Sequence, residues 1–363
     1  MKTRAAVVEG QGQPFTLTDV ELDEPREDEV VVRMVATGNC HTDLTMGNFL
    51  PPEMFPNVFG HEGAGVVEAV GAQVSGLEPG DHVVMSFRSC RNCAKCQAGL
   101  VGYCDRTLLL NYMGMRMDGS TSLRRGDQQI FGNFFGQSSL AAHALAYADN
   151  CVKVDPALDL TLLAPYGCGF QTGAGTVLNV LRPSSGESLV VYGVGAVGLA
   201  ALAAAAAAGV GSLVAVDPLA GRREVAERFG ATTVDPTEVD SVVDRVKELT
   251  GGGASYAIDT TAIPAVVKQA QQSLAIRGTV VALGLGAEEY TLDAIDLLQG
   301  GKTVLASIEG DSDPQEMVPR LLEMRAAGSF AMDDLVTTYP AEEIGRAVAD
   351  VTSGAVVKPV LVW

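Results

Sequence analysis

Positive charge is scarce in this chain. Lys and Arg total 25 against 44 Asp and Glu, giving a net charge of −19 and a pI near 4.5. A nucleic-acid-binding face needs clustered cations, so that class is excluded, and an anionic membrane surface is disfavoured for the same reason. A secretory leader is also missing. MKTRAAVVEG carries basic residues but no apolar run behind them, so a cytoplasmic protein is expected. The seven cysteines are an odd number and cannot all pair. Four of them crowd into residues 90–104, which in an intracellular chain argues for metal rather than disulfides. No internal repeat is visible, and the only biased tract is one Ala-rich run.

What is present is a chain of 363 residues, 47% hydrophobic, enough for two domains with large cores. The stretch from Ser188 to Asp217, SLVVYGVGAVGLAALAAAAAAGVGSLVAVD, reads as strand, tight turn, helix, strand. Leu189–Tyr192 is a short apolar run suited to a buried parallel strand. Gly193, Gly195 and Gly198 follow in the pattern GxGxxG, with Ala196 and Val197 between the last two. The first glycine permits the turn. The second lets backbone approach a pyrophosphate, and the third lets helix and strand pack closely. Leu199–Ala208 is nearly all Ala and Leu, the best helix formers. The N-terminus of that helix turns free N–H groups toward bound phosphate. Asp217 ends the second strand nineteen residues after Gly198, where a ribose-binding acid belongs. The run is apolar enough to suggest a membrane span, but its glycines and second strand argue against one.

Residues 90–104 read CRNCAKCQAGLVGYC, a C-x2-C-x2-C-x7-C spacing through Cys90, Cys93, Cys96 and Cys104. Four thiolates in one short loop suit a closed tetrahedral zinc site. A CxxC redox pair or disulfides are the alternatives. A redox pair needs only two of the four, which favours zinc.

Residues 4–38 alternate short β-like runs with Gly, Pro and Asp turns, an antiparallel pattern. GNCHTD (38–43) and a proline-rich loop leading into His61-Glu62 follow, and Asp105–Gly132 reads as a long polar loop. After Asp217, strands at Thr232–Val234, Tyr256–Asp259, Thr279–Leu283 and Thr303–Ile308 alternate with helical segments. That alternation predicts a six-stranded doubly wound parallel sheet. Beyond Glu309 two helices and a last strand are expected to rejoin the first domain.

GNCHTD, GHEGAGVVEAVG, the four-cysteine loop, APYGCGFQTGAG and VVYGVGAVG, in this order, resemble the zinc-dependent medium-chain alcohol dehydrogenases. FFGQSSLA, EGDSDP and the ending KPVL are similar to the aryl-alcohol (benzyl alcohol) branch. The resemblance implies an α/β protein with a GroES-like, mainly β catalytic domain (1–169 and 310–363) and a Rossmann domain (170–309), the active site lying in the cleft between them. It implies two zinc ions per chain, NAD as cofactor, a small alcohol or aldehyde substrate and a homodimer or homotetramer. The catalytic zinc would be held by Cys40, His61 and Cys168, with Glu62 as a nearby or exchanging fourth ligand. Two cysteines and one histidine is the ligand set known for alcohol dehydrogenase. No spacing rule links these three residues. Without the family, His61 reads as readily as a buried structural histidine, and Cys168 as a small core residue.

The implied reaction is reversible hydride transfer between NAD(H) and a primary alcohol, with zinc as Lewis acid. Thr42 would take the alcohol proton, and Asp43 would fix the tautomer of His61. Many relatives end the proton relay in a histidine five residues after the first zinc cysteine; here that position is Thr45. The relay then ends in water or through His41, whose other reading is a pyrophosphate contact. Asp217 predicts NAD over NADP; the neighbouring Arg222-Arg223 pair points the other way unless Arg222 lies against the adenosine ribose, and Lys358 would sit near the pyrophosphate unless it is an ordinary surface lysine. Phe49, Phe87, Phe134 and Leu285 are candidates for an apolar pocket wall. His82, His143 and Cys151 read as structural. Two other readings share the fold. A thiol-adduct formaldehyde dehydrogenase would need a polar anchor for its thiol carrier, which the sequence does not clearly show. A non-enzymatic NADH-binding protein would not need the metal ligands this chain keeps.

Overall fold

A computed structural model describes all residues, Met1–Trp363, in two compact units. One comprises 1–168, 313–320 and 333–363, and the other 169–312 and 321–332.

The first unit is mainly antiparallel β. A five-stranded sheet runs in the order Asn57–Val58, Lys2–Val8, Phe15–Leu22, Leu123–Arg125, Gln128–Ile130. A seven-stranded sheet runs Cys151–Val154, His82–Met85, Gly63–Val70, Glu29–Gly38, Lys358–Val362, Val336–Pro340, and His143–Tyr147 also pairs with Glu29–Gly38. The register of this sheet assembles distant residues. Thr37 faces Gly63 and Gly38 faces Val360, so the chain just after Gly38, just before Gly63 and around Lys358 converges at one sheet end. The Gly38 N–H donates to the Glu62 carbonyl at 2.9 Å and the Asn39 N–H to the Pro359 carbonyl at 2.9 Å. Gly38 must be glycine. A Cβ there would lie 2.0 Å from Glu62 Oε2. Gly167 lies equally flat on the strand His82–Met85, where a Cβ would meet the Met85 carbonyl oxygen at 2.0 Å. The Ser86 hydroxyl donates to the Gly167 carbonyl at 2.6 Å. These two contacts deliver Cys168 to the same place.

The second unit holds six parallel strands in the order Thr232–Val234, Ser212–Val216, Ser188–Tyr192, Ala254–Asp259, Leu274–Ala282, Thr303–Ala306. Ser188–Tyr192 is buried throughout, as a central parallel strand covered on both faces must be. Its two neighbours lead away in opposite directions, so its carboxyl end is the topological switch point where such sheets bind ligands. Residues 321–332 belong here, with the Phe330 ring edge-on to Phe170 at 6.3 Å.

Three elements differ from the sequence reading. Helix Ala294–Gly300 is too short to show periodicity, and is set by Asp293, whose carboxylate accepts from the Asp296 N–H at 3.0 Å. The expected loop 105–132 contains a π-helical turn, Leu108–Tyr112, and the hairpin Leu123–Arg125/Gln128–Ile130. Helix His41–Phe49 starts directly on GNCHTD. No helix is long and apolar enough to cross a membrane.

Candidate metal centres and cofactor turn

Each of Cys40, His61, Glu62 and Cys168 offers a ligand atom, and these atoms all lie within 4.8 Å of one another. His61 and Glu62 are fully buried, and Cys168 is 8% exposed. Asp43 organises the group. Its Oδ1 accepts from His61 Nδ1 at 2.7 Å and from the Gly60 N–H at 2.9 Å, and its Oδ2 accepts from the Cys40 N–H at 3.2 Å. With Nδ1 committed as donor to Asp43, Nε2 is the ring nitrogen left to meet a metal, and this buried atom has no hydrogen-bond partner. An unpartnered imidazole nitrogen facing two thiols is the donor set of an open N/S zinc site.

Electrostatics agree with that use. A hydrogen bond from Cys168, with His61 and Lys358 as nearby cations, holds the Cys40 thiol well below its ordinary range against the cost of burial. Burial pushes Glu62 up to about 7, and Lys358 opposes it. Burial would depress His61, but Asp43 and the Cys40 sulfur raise it well above its ordinary value. A divalent cation needs neutral imidazole and thiolates, so its binding displaces these protons.

Lys358 is 3% exposed; its Nζ sits 2.5 Å from Glu62 Oε2 and 3.4 Å from the Asn39 carbonyl. Lys358 is therefore not the ordinary surface lysine that the sequence also allowed but a buried counter-charge to a candidate ligand. Thr42 is half-buried and His41 exposed at the start of their helix.

The second cluster is Cys90, Cys93, Cys96 and Cys104, whose ligand atoms likewise all lie within 4.8 Å of one another. Cys93 and Cys96 sulfurs are 3.5 Å apart and Cys90 and Cys96 sulfurs 3.9 Å, close to the roughly 3.8 Å edge of a tetrahedral zinc–thiolate site. None of the seven cysteines is in a disulfide. Backbone N–H groups of Cys90, Cys93 and Arg106 donate to sulfurs at 3.3, 3.3 and 3.4 Å, which stabilises thiolates. Both groups fit zinc, the four-sulfur one closed and the other with a position to spare.

Aromatic rings crowd His61. Phe135 lies 4.7 Å from it, tilted 32°, and Phe134 meets it edge-on at 5.8 Å. Tyr112 contacts both phenylalanines, at 5.2 and 6.3 Å. Of the wall candidates read from sequence, Phe134 and Phe87 are buried, whereas Phe49 and Leu285 are 56% and 47% exposed. Phe135, at φ +52°, and Tyr112 were not legible, since nothing in the sequence pairs them with His61.

In the second unit the glycine turn stands at the switch point. Gly193 has φ +82°. A Cβ on Gly198 would lie 2.1 Å from the Gly193 carbonyl oxygen, so only glycine lets helix Ala196–Ala207 sit this close. Asp217 is 2% exposed and grips the turn: Oδ2 accepts from the Val194 N–H at 2.9 Å, and Oδ1 from the Leu219 N–H at 2.8 Å. Arg222 approaches Asp217 at 3.8 Å and lies beside Gly195, with its Nε unpartnered. Arg223 is engaged with the Asp217 carbonyl and with Asp235, both at 2.8 Å.

Comparison with known proteins gives two family models, an alcohol dehydrogenase GroES-like domain over residues 26–156 and a zinc-binding dehydrogenase domain over 196–325. A geraniol dehydrogenase of Castellaniella defragrans is 42% identical over 367 residues, spanning 100% of this chain and 98% of that protein. Crystal structures of an alcohol dehydrogenase zinc-binding domain protein from Burkholderia ambifaria and of a benzyl alcohol dehydrogenase from Acinetobacter calcoaceticus superpose with TM-scores of 0.95 and 0.94. They are 44% and 38% identical, and the match covers 100% and 99% of this chain and 99% of each of theirs.

Proposed function

Since the chain belongs to the zinc-type alcohol dehydrogenases, we propose that it reversibly oxidises a primary, aromatic or otherwise apolar alcohol with NAD. The observation that carries this reading is the convergence of Cys40, His61, Glu62 and Cys168 within 4.8 Å around an unpartnered His61 Nε2. Zinc on Cys40, His61 and Cys168 would supply Lewis acidity toward the alcohol oxygen, and the nicotinamide would supply the two-electron acceptor.

The chain's own residues prepare that chemistry. Asp43 holds the proton on His61 Nδ1 and leaves Nε2 free to bind. Lys358 neutralises Glu62, so the carboxylate can remain beside two thiolates. Thr42 Oγ takes the proton leaving the alcohol while passing its own onward. Exposed His41, next in the chain, offers an outlet that Thr45 cannot. Phe134, Phe135 and Tyr112 beside His61 support an apolar substrate, as does the similarity to a geraniol dehydrogenase and a benzyl alcohol dehydrogenase. The Gly193–Gly198 turn would hold the pyrophosphate, and Asp217 the adenosine ribose. Cys90, Cys93, Cys96 and Cys104 would hold the second, structural zinc. A homo-oligomer would form through the edge strand Thr303–Ala306, close in sequence to Leu298, which is 79% exposed.

A cofactor-coupled absorbance screen of primary alcohols and their aldehydes, with metal analysis, tests the reading. Turnover of benzyl or terpenoid alcohols by the zinc-loaded protein is expected. NADH binding with no turnover of any alcohol would refute it.

A further inference from the structure

The turn after strand Ala254–Asp259 has no part in the function derived above, yet it is built around a buried carboxylate. Asp259 is fully buried at the carboxyl end of its strand, in register with Tyr192. Its Oδ1 accepts from the Thr261 hydroxyl at 2.7 Å and its Oδ2 from the Ala262 N–H at 3.0 Å. Ala262 is thereby held at φ +52°, a conformation side chains rarely adopt. Gly284 and Gly286 press on the turn from the next strand's end. A Cβ on either would lie 2.6 Å from the Ala262 nitrogen or 2.7 Å from Ala262 Cβ.

The turn so fixed presents the Thr260 hydroxyl to the glycine motif. Thr260 Oγ1 donates to the Gly193 carbonyl at 2.8 Å, and its N–H donates to the Tyr192 carbonyl at 3.0 Å. A Cβ on Gly193 would lie 2.6 Å from that hydroxyl, so the contact depends on glycine as well. On the other side of the same peptide, the Val194 N–H is held by Asp217. The peptide between Gly193 and Val194 is thus clamped at its oxygen by Thr260 and at its nitrogen by Asp217. Its orientation decides where the following N–H groups point.

We propose that Thr260, braced by Asp259, is a positioning residue for the cofactor: it locks the glycine turn in the conformation that receives a dinucleotide pyrophosphate. This deepens, and rests on, the reading of that turn as the NAD site. Thr260→Val keeps the side-chain volume and removes only the hydroxyl, and Thr260→Ser keeps the hydroxyl. NADH and ADP-ribose are titrated by fluorescence and calorimetry into the zinc-loaded full-length proteins. Thr260→Val is expected to weaken both ligands by the same factor, roughly five- to tenfold, for one net hydrogen bond. Thr260→Ser is expected to restore binding, with zinc content and alcohol KM unchanged. If Thr260→Val fails to fold, Thr260→Ala removes the same hydroxyl and is read the same way. NADH affinity within twofold of wild type, or loss of NADH but not of ADP-ribose, overturns the proposal. Wild-type protein that binds neither ligand overturns the NAD reading itself.

Discussion

Replacing Asp43 with Asn tests the metal centre through a residue that would not touch the metal. Three N–H donors converge on the Asp43 carboxylate: His61 Nδ1, Gly60 and Cys40, at 2.7, 2.9 and 3.2 Å. An asparagine has one acceptor oxygen. If that oxygen keeps His61 and Gly60, its amide nitrogen meets the Cys40 N–H, donor against donor. If it flips, two donors are stranded instead. Asp43 is fully buried, so no solvent makes up the loss. One orphaned N–H and the loss of charge assistance to His61 cost about 2–5 kcal/mol together. His61 also loses the partner that fixes its tautomer, which typically lowers metal affinity about 10- to 100-fold. The assay is zinc competition against a chromogenic chelator, with alcohol turnover measured alongside. The variant should yield the zinc of this group at lower chelator concentration, and the four-cysteine zinc as in wild type. Zinc affinity within twofold of wild type at both sites would refute the reasoning.

Gly198→Ala places a Cβ 2.1 Å from the Gly193 oxygen, forcing helix from strand. At about 1–3 kcal/mol for such overpacking, NADH should bind about 5- to 150-fold more weakly, read by fluorescence titration; unchanged affinity would contradict it. Asp217 predicts that kcat/KM with NAD exceeds that with NADP at least about tenfold, and near-equal values would sink that preference. In Glu29, burial opposes ionisation, but bonds from Arg116 at 2.6 and 2.9 Å outweigh it and hold the carboxyl below its ordinary value. A carboxyl so depressed stabilises the fold fully above the ordinary carboxylate range and loses that contribution as pH falls through its lowered value. Glu29→Gln should therefore destabilise the protein by about 1–3 kcal/mol near neutrality, with buried Arg116 left only Asp23, at 2.8 Å, as counter-charge, and by less in acid. Denaturant melts at both pH values check this, and a deficit independent of pH would contradict it.

How legible the protein was in its sequence depended on whether the signal was local. The strand Ser188–Tyr192, its glycine turn and Asp217 are neighbours in the chain, and the apolar run and glycine spacing announce them. The four cysteines of 90–104 share one loop, so spacing sufficed. Cys40, His61 and Cys168 meet only through sheet register and the flat contact of Gly167 on Met85. No local pattern encodes those, and family resemblance alone brought the three together in advance. Lys358 reads from sequence as either a pyrophosphate contact or a surface lysine, because nothing local shows that strand Lys358–Val362 would lay it against Glu62. The Thr260 clamp was invisible for the same reason: its partner, Gly193, is 67 residues away.

Zinc content measured together with alcohol turnover, in wild type and in Cys168→Ser, goes most directly to the claim that Cys40, His61 and Cys168 form the reactive metal centre. Wild type should carry about two zinc ions per chain and turn over, and the variant should retain about one and lose nearly all turnover. Wild-type turnover in Cys168→Ser, or in protein stripped of the zinc at this group, would contradict the account.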